Sequence, residues 1–318
     1  MSAGSLSEGR LASAEVVVSV RELVKRYGAQ EAVRGIDLDV RAGEIFAFLG
    51  PNGAGKTTTV EILEGFRPRT SGTVSVLGED PATAGGAWRD RIGVVLQESE
   101  PEPGLSVREC VQLYAGYYRS PRDVDATLEL VGLADRPDAT ATRLSGGQRR
   151  RLDVALALIG DPDLIFLDEP TTGFDPSARR AAWDVVAGLR DLGKTVFLTT
   201  HYMDEAEHLA DRIAVVAGGR IVAEGTPQTL GGRDRMRATI RFTLPSAIDD
   251  GDLPDALRPL AEPSTDGRTV LLSDSPLVHL RLLAEWAIGR GVDLPDLDVR
   301  RPTLEDVYLA LTAPAETP

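Results

Sequence analysis

A glycine-rich segment that ends in a lysine and a threonine is the most distinctive chemical feature of the sequence. After the apolar run 44–49, the chain continues as Gly50-Pro51-Asn52-Gly53-Ala54-Gly55-Lys56-Thr57 and then Thr58. Glycines let several backbone N–H groups curl around one anion, and a helix that begins at Lys56 would add the positive end of its dipole. Lys56 would reach the β- and γ-phosphates, and the Thr57 hydroxyl would complete a Mg²⁺ shell. The segment therefore predicts a nucleotide-phosphate site, with a simple glycine-rich turn as the plainer alternative.

Two adjacent carboxylates end a second apolar run. Residues 164–167 are Leu-Ile-Phe-Leu, and Asp168 and Glu169 follow them. Because the carboxyl ends of parallel strands meet at one edge of a sheet, this pair is expected to face the phosphate loop. Asp168 would hold Mg²⁺, and Glu169 would polarise the attacking water as a general base. Alone, a strand that ends in Asp-Glu is typical of a solvated turn, but the phosphate loop favours the chemical interpretation.

A second candidate anion site lacks a lysine of its own. It reads Leu144-Ser145-Gly146-Gly147-Gln148. Three arginines follow at 149–151, before a helix predicted over 152–159. Ser145 is a natural helix N-cap, and the glycines leave backbone N–H groups exposed. A capped loop without a ligand is the alternative for this segment.

The order of these motifs resembles that of the ABC ATPases. After the phosphate loop come the LSGGQ signature, the Asp168-Glu169 pair, the run Gly173-Phe174-Asp175-Pro176 and His201. The resemblance covers about residues 16–230. The family usually has leucine at the position of Phe174, so this substitution keeps an apolar residue there. It implies ATP and Mg²⁺ as cofactors. It also implies that two ATP molecules lie between two subunits, each held by the phosphate loop of one and the signature of the other.

The resemblance also implies a role for each remaining position. Tyr27 would stack on adenine, although without the family it is a half-buried strand tyrosine. Gln97 would touch Mg²⁺ and the attacking water, His201 would contact the γ-phosphate, and Asp175 would link the two sites across the dimer. Ser145, Gly146 and Gly147 are assigned to the partner's γ-phosphate. The nucleotide-binding positions are then Tyr27, Asn52, Gly53, Ala54, Gly55, Lys56, Thr57, Thr58, Ser145, Gly146, Gly147, Gln148 and Asp175; the metal positions are Thr57, Gln97 and Asp168; the catalytic positions are Glu169, His201 and Gln97.

Alternating strand-like and helix-like stretches predict an α/β fold. With the resemblance, this is a P-loop NTPase cassette, in which a mainly parallel sheet carries antiparallel β and helical subdomains, followed by a small C-terminal α+β domain. We expect disorder over 1–14, the ATPase domain over 15–232 and the accessory domain over 233–318. The main helices are expected over 56–63, 107–118, 124–131, 152–159, 178–191, 277–288 and 303–311.

Composition argues against several other classes of protein. The net charge of −14 disfavours nucleic-acid binding. No apolar stretch approaches the roughly 18 residues that a membrane-spanning helix needs, and the N-terminus lacks a signal-peptide pattern. The single cysteine, Cys110, fits a reducing compartment and is expected to be a buried apolar residue rather than a reactive thiol.

One uninterrupted cassette without heptads favours a transporter subunit. Soluble ABC proteins of translation usually carry two cassettes, and DNA-repair or chromosome ATPases carry a cassette split by a coiled coil. Residues 301–309, Arg-Pro-Thr-Leu-Glu-Asp-Val-Tyr-Leu, resemble the ending of ATPases that serve bacterial multidrug, antibiotic and polyketide exporters. An amphipathic closing helix is the plainer interpretation of this ending. Export of a lipid or polysaccharide is the alternative cargo.

The resemblance implies partners as well as chemistry. The chain is expected to hydrolyse ATP as a dimer, with a homodimer favoured because one chain carries every motif. It would act at the cytoplasmic face of the plasma membrane, bound to a separately encoded transmembrane permease. The permease is expected to contact 98–120, although a plain helical core is the alternative there. No phosphate, metal or nucleophile pattern occurs in 236–312, so this domain is expected to stabilise or regulate the dimer.

Overall fold

The structure is a computed structural model that describes residues 15–96, 101–245, 248–262 and 268–312. The chain divides into two compact units, Met1–Pro227 and Gln228–Pro318. The segment 1–14, for which disorder is predicted, lies outside the described residues, as do Gln97 and the start of the predicted permease contact at 98–100.

Strands and helices alternate through the first unit. Its strands are β1 (Val16–Tyr27), β2 (Gln30–Arg41), β3 (Ile45–Leu49), β4 (Ser71–Val76), β5 (Ile92–Val95), β6 (Leu164–Asp168), β7 (Thr195–Thr200), β8 (Arg212–Ala217) and β9 (Arg220–Gly225). Its helices are α1 (Lys56–Leu63), α2 (Gly86–Arg89), α3 (Val107–Ala115), α4 (Val124–Leu130), α5 (Gly146–Leu158), α6 (Pro176–Asp191) and α7 (Met203–Leu209).

A six-stranded sheet forms the centre of this unit. The strand order is β5-β6-β7-β3-β8-β9, and all neighbours pair in parallel except β8 and β9. A separate antiparallel sheet has the order β2-β1-β4. The predicted α/β cassette with a mainly parallel sheet and antiparallel β is therefore confirmed. The carboxyl ends of β3, β6 and β7 lie side by side, which places the loops that follow them at one edge.

Alternate side chains of the parallel strands pack into two hydrophobic cores, one on each face of the sheet. Phe46, Phe48, Phe166 and Phe197 pack on the face toward the antiparallel sheet, with ring centroids about 5.5–5.7 Å apart around Phe197. The opposite face, with Ile45 and Ile165 among its members, packs with α3, α4, α5 and α6. Aliphatic and aromatic side chains buried on both faces are typical of a parallel sheet. This rigid double-sided packing fixes the strand ends that carry the polar side chains.

Two helix boundaries differ from the predicted ones by three residues or more, and the others by no more than two residues. α5 begins at Gly146 rather than at 152, because Ser145 and Gln148 form a reciprocal capping box that satisfies the first N–H groups. α3 ends at Ala115 rather than at 118, because the backbone tightens into i→i−3 bonds from Tyr117 and Tyr118. Cys110 on α3 is 1% exposed, and burial raises the pKa of its thiol, as expected of a structural cysteine.

The second unit is a small α+β fold. Its strands are β10 (Ala238–Phe242), β11 (Ala261–Glu262), β12 (Thr269–Ser273) and β13 (Asp298–Arg300). Its helices are α8 (Pro276–Arg290) and α9 (Leu304–Thr312). The strands form an antiparallel sheet in the order β11-β12-β10-β13. Ile240, Phe242, Leu271 and Leu283 form its core, which joins the sheet to α8.

Candidate functional site

Glycine conformation shapes the phosphate loop between β3 and α1. Gly53 and Gly55 have φ angles of 79° and 99°, in the left-handed region that side chains disfavour. A Cβ on Gly55 would lie 2.5 Å from the carbonyl oxygen of Ala32. Because α1 begins at Lys56, the loop delivers its N–H groups to the positive end of a helix. The predicted strand–loop–helix context is confirmed.

Lys56 is folded into this loop. Its side chain is 5% exposed, and its ammonium donates to the carbonyl oxygen of Gly50 at 2.8 Å and lies 3.3 Å from Glu169 Oε1. A buried ammonium needs such partners, because an unpaired charge away from water is costly. Lys56 therefore links the phosphate loop after β3 directly to the carboxylate that follows β6, the second strand away in the sheet.

One cavity of about 490 Å³ collects most of the predicted nucleotide-binding residues. It is lined by Tyr27, Gln30, Ala32, Asn52, Gly53, Gly55, Lys56, Thr57, Thr58 and Glu169. Ala54 does not line it and is buried beneath the loop. The sequence interpretation missed Gln30 and Ala32. Their signal was their position in β2, across a tight turn from Tyr27.

Tyr27 ends β1 at this cavity, with 42% of its surface exposed. The Lys25 ammonium lies 5.1 Å from the ring centroid, and the Arg67 guanidinium lies 5.4 Å from it. Cations near an aromatic ring hold it in place through its quadrupole. A ring that is 42% exposed and flanked by two cations beside a phosphate cradle is suited to stacking on a flat base.

Glu169 has an unusual backbone and a crowded carboxylate. Its φ is 45°, a left-handed conformation that non-glycine residues rarely adopt. Its N–H donates to Thr199, and its carboxylate lies 3.1 Å from the Thr172 hydroxyl and 3.2 Å from His201 Nδ1. The His201 contact lacks the alignment of a hydrogen bond. Burial alone would raise the pKa of Glu169, but Lys56 and His201 hold it below its usual value.

Asp168 occupies the last position of β6, and its carboxylate has different hydrogen-bond partners from that of Glu169. One of its oxygens accepts a hydrogen bond from the Thr199 hydroxyl. Burial raises the pKa of Asp168, and the Glu169 charge acts in the same direction, against the lowering effect of Thr199. The two neighbouring carboxyls therefore have pKa values shifted in opposite directions, a pattern common where acidic groups divide labour.

The signature residues lie at a different cavity. Ser145 caps α5, and its hydroxyl accepts from the Gln148 N–H while the Gln148 side chain accepts from the Ser145 N–H. Ser145, Gly147 and Gln148 line a groove of about 290 Å³ between α5 and α6, which shares no residue with the cavity at Lys56. Asp175 caps α6, accepting from the Ser177 and Ala178 N–H groups. Most of the predicted nucleotide-binding residues of one chain are thus divided between two cavities.

Glu64, at the end of α1, is a buried acid that the sequence interpretation missed. It is 5% exposed, and its pKa is raised to about 8 by burial first and then by Asp168 and Glu61. Its sequence signal was weak, since it only follows apolar residues in α1. The folded protein therefore keeps this carboxyl protonated at neutral pH.

Replacing Glu64 by glutamine is expected to stabilise the nucleotide-free protein at alkaline pH. The folded-state pKa of about 8 exceeds the ordinary 4.5, so the carboxyl's contribution is fully present below pH 4.5 and is lost as the pH rises through 8. Between these two values, the free energy of unfolding falls by about 1.4 kcal/mol for each rise of one pH unit. Thermal unfolding at about pH 6 and about pH 9 checks this. The gain in the free energy of unfolding should be larger at the higher pH, and Glu129→Gln, at an exposed position, should give no gain. An equal gain at both pH values would contradict the raised pKa of Glu64.

No helix in the described ranges has the length and apolar character of a membrane span. A family model described as "ABC transporter" matches residues 33–172. A second model, described as "ABC transporter domain-containing protein-like, C-terminal domain", matches residues 238–303. These two matches fall in the first and second compact units respectively.

Curated relatives match nearly the whole chain. The daunorubicin resistance ATP-binding protein DrrA3 of Streptomyces coeruleorubidus is 40% identical, over 94% of this chain and 96% of the relative. The Nod factor export ATP-binding protein I of Cupriavidus metallidurans is 39% identical, over 93% of this chain and 97% of the relative. A dimeric ATP-binding cassette in a post-hydrolysis state, bound to ADP and Pi, superposes with a TM-score of 0.58 at 25% identity, over 66% of this chain and 98% of that one.

Proposed function

The chain belongs to the ABC transporter family as an ATP-binding, ATP-hydrolysing subunit, and we propose that it drives export of a drug, antibiotic or similar hydrophobic compound through a separately encoded permease. The observation that carries the export proposal is a match of 40% identity to a daunorubicin resistance protein over 94% of the chain, the C-terminal unit included. The predicted closing helix is present in the structure as α9, over Leu304–Thr312.

The residues at the cavity fit ATP and Mg²⁺. The glycine cradle and Lys56 suit the phosphates, because they offer N–H donors and one positive charge to several negative oxygens. The Thr57 hydroxyl lines the cavity, whereas the Asp168 carboxylate at the end of β6 does not. Both would supply oxygen ligands of the kind that Mg²⁺ takes together with phosphate oxygens. Bound Mg²⁺ would neutralise charge on the transferring phosphoryl group. Gln97, proposed as a further ligand, lies outside the described residues.

Glu169 is the proposed general base. Its lowered pKa keeps it ionised at neutral pH, so it can accept a hydrogen bond from water and orient it. Thr172 and His201 hold the carboxylate from one side while Lys56 holds it from the other. The role of His201 is to contact the γ-phosphate from this position beside Glu169.

Two copies are proposed to complete each other's sites. The cavities at Lys56 and Ser145 support this arrangement, because they share no lining residue within one chain. Ser145, Gly146 and Gly147 would then bind the partner's γ-phosphate, and Asp175 would lie between the two sites. A homodimer is proposed, since this chain carries each motif.

The permease is proposed to bind near α3, which would hold the chain at the cytoplasmic face of the plasma membrane. Tyr117, just beyond α3, is 72% exposed, and Leu113 is 42% exposed. Aromatic and aliphatic surface residues of this kind are enriched in protein interfaces. Cysteine crosslinks introduced at Tyr117 should reach the permease; crosslinks formed only from the C-terminal unit would contradict this docking site.

Transport in vesicles tests the cargo class. The chain is co-expressed with its separately encoded permease, and uptake of daunorubicin into inside-out vesicles is followed with ATP. ATP-dependent uptake that is lost in Glu169→Gln would support drug export. The match to a Nod factor export protein favours a second candidate, export of a molecule like Nod factor. Uptake of that molecule but not of daunorubicin would replace the first candidate with the second.

A further inference from the structure

One arginine of the triplet 149–151 is buried, unlike its two neighbours. Arg150 is 7% exposed and lies on α5, five residues beyond the cap Ser145. Its guanidinium donates to the backbone carbonyls of Asp168 at 2.8 Å, Pro170 at 3.1 Å and Leu96. A guanidinium has five N–H donors on three nitrogens in one plane, so it can bind carbonyls that lie apart in fixed directions, whereas the three donors of an ammonium are on a single nitrogen.

Two of these carbonyls flank Glu169. Because Glu169 has a φ of 45°, its conformation persists only if the surrounding structure holds it. Thr199 binds the N–H of Glu169 through its backbone and hydroxyl oxygens. Arg150 binds the carbonyl oxygen of the residue before Glu169 and that of the residue after it. The backbone of the proposed base is thus fixed by one strand and one helix.

The third carbonyl belongs to the end of the β5 segment. Leu96 is the last described residue before Gln97, and its carbonyl is held by the same guanidinium. Asp153, one turn along α5, has its carboxylate 3.8 Å from Arg150. Arg150 therefore joins the signature helix to the strand ends that lead to Glu169 and to Gln97.

We propose that Arg150 is a positioning residue that transmits the position of the signature helix to the backbone of Glu169. The proposal rests on the proposed two-copy function. Ser145 and Arg150 belong to one hydrogen-bonded helix, so a shift of its N-terminus toward the partner's nucleotide carries the guanidinium with it. When the signature of one chain binds the ATP held by its partner, the position of Glu169 in the first chain is thereby set.

A purely structural arginine would give a different pattern of defects. If Arg150 only satisfied buried carbonyls, its loss would lower stability and ATP binding together. If it positions the base, its loss lowers kcat and leaves the KM and the affinity for ATP largely unchanged, because the phosphate loop does not depend on it. The two cases are therefore separated by kinetics measured on folded protein.

The test compares Arg150→Gln, Arg150→Lys and Arg149→Gln in the full chain with Mg·ATP. Arg149 is a half-buried arginine of the same helix whose guanidinium donates to none of these carbonyls. We expect Arg150→Gln to lower kcat by about tenfold or more with the KM for ATP within about twofold of wild type. Arg150→Lys should recover part of the loss, and Arg149→Gln should match wild type. If Arg150→Gln does not fold, Arg150→Lys carries the same comparison.

A double variant tests the link to the signature. The effects of Ser145→Ala and Arg150→Lys on kcat should not be additive, so the double variant should have a kcat no lower than that of the more impaired single variant. A double variant whose loss of kcat is the product of the two single losses would overturn the link. Wild-type kcat in a folded Arg150→Gln protein, or an equal loss of ATP affinity, would overturn the positioning role. Failure of wild-type protein to hydrolyse ATP would instead contradict the proposed function.

Discussion

Replacing Glu169 by glutamine is expected to slow ATP hydrolysis by about 10²-fold or more, the usual contribution of a positioned base. Glutamine keeps the size of the side chain and a contact with the Thr172 hydroxyl, but it loses the carboxylate that orients and activates water. ATP affinity should remain near that of wild type, because the phosphate loop is intact. Phosphate release and nucleotide binding measured on the same preparation check both statements.

The pH dependence of hydrolysis provides a control for this assignment. Because Lys56 and His201 hold the pKa of Glu169 below its usual value, the base stays ionised at neutral pH and loses its charge only as the pH falls through that lowered pKa. Turnover that is normal in Glu169→Gln would remove this residue from the catalytic role.

Replacing Lys56 by alanine is expected to weaken ATP binding by about ten- to a hundredfold. The ammonium makes a charge-assisted contact worth roughly 1.5–3 kcal/mol with the β- and γ-phosphates. Its removal also leaves Glu169 without the positive charge 3.3 Å away, so hydrolysis should fall further than binding. Calorimetric titration with ATP measures the affinity.

Lys194 provides the matched control for Lys56. It is one of three lysines in the chain, and its ammonium pairs with Asp161 at 2.8 Å, away from the residues that line the nucleotide cavity. Lys194→Ala should bind ATP as wild type does. Unchanged ATP affinity and hydrolysis in a folded Lys56→Ala protein would contradict the assignment of the phosphate loop.

The parts of the site that follow local rules were predictable from sequence. The helix at 56–63 has the observed bounds because glycines and the lysine mark its start. The strand ending at Asp168 was recognisable as an apolar run that stops at two acids. α5 was predicted too short because its first residues, Gly146 and Gly147, have low helix propensity. In the structure the capping box at Ser145 outweighs this low propensity and starts the helix at Gly146.

The parts that depend on long-range packing were not predictable. Nothing in the sequence distinguishes Arg150 from Arg149 and Arg151, because its partners are backbone carbonyls of residues 96, 168 and 170, which no side-chain pattern marks. Glu64 looked like an ordinary helix-end acid, and only the fold shows that it is buried near Asp168. The family resemblance implied two distinct sites at Lys56 and Ser145, whereas the residues that line each cavity depend on the arrangement of the surrounding helices and strands.

ATP-dependent dimerisation of the Glu169→Gln protein tests the central claim most directly, namely that two copies share each nucleotide. With hydrolysis slowed, ATP should persist and hold two chains together, so gel filtration should show a dimer with ATP and a monomer without it. Adding Ser145→Arg places bulk and charge where the partner's γ-phosphate must lie, and should abolish the dimer while each monomer still binds ATP. An ATP-dependent dimer that survives Ser145→Arg, or a chain that remains monomeric although saturated with ATP, would contradict the shared site.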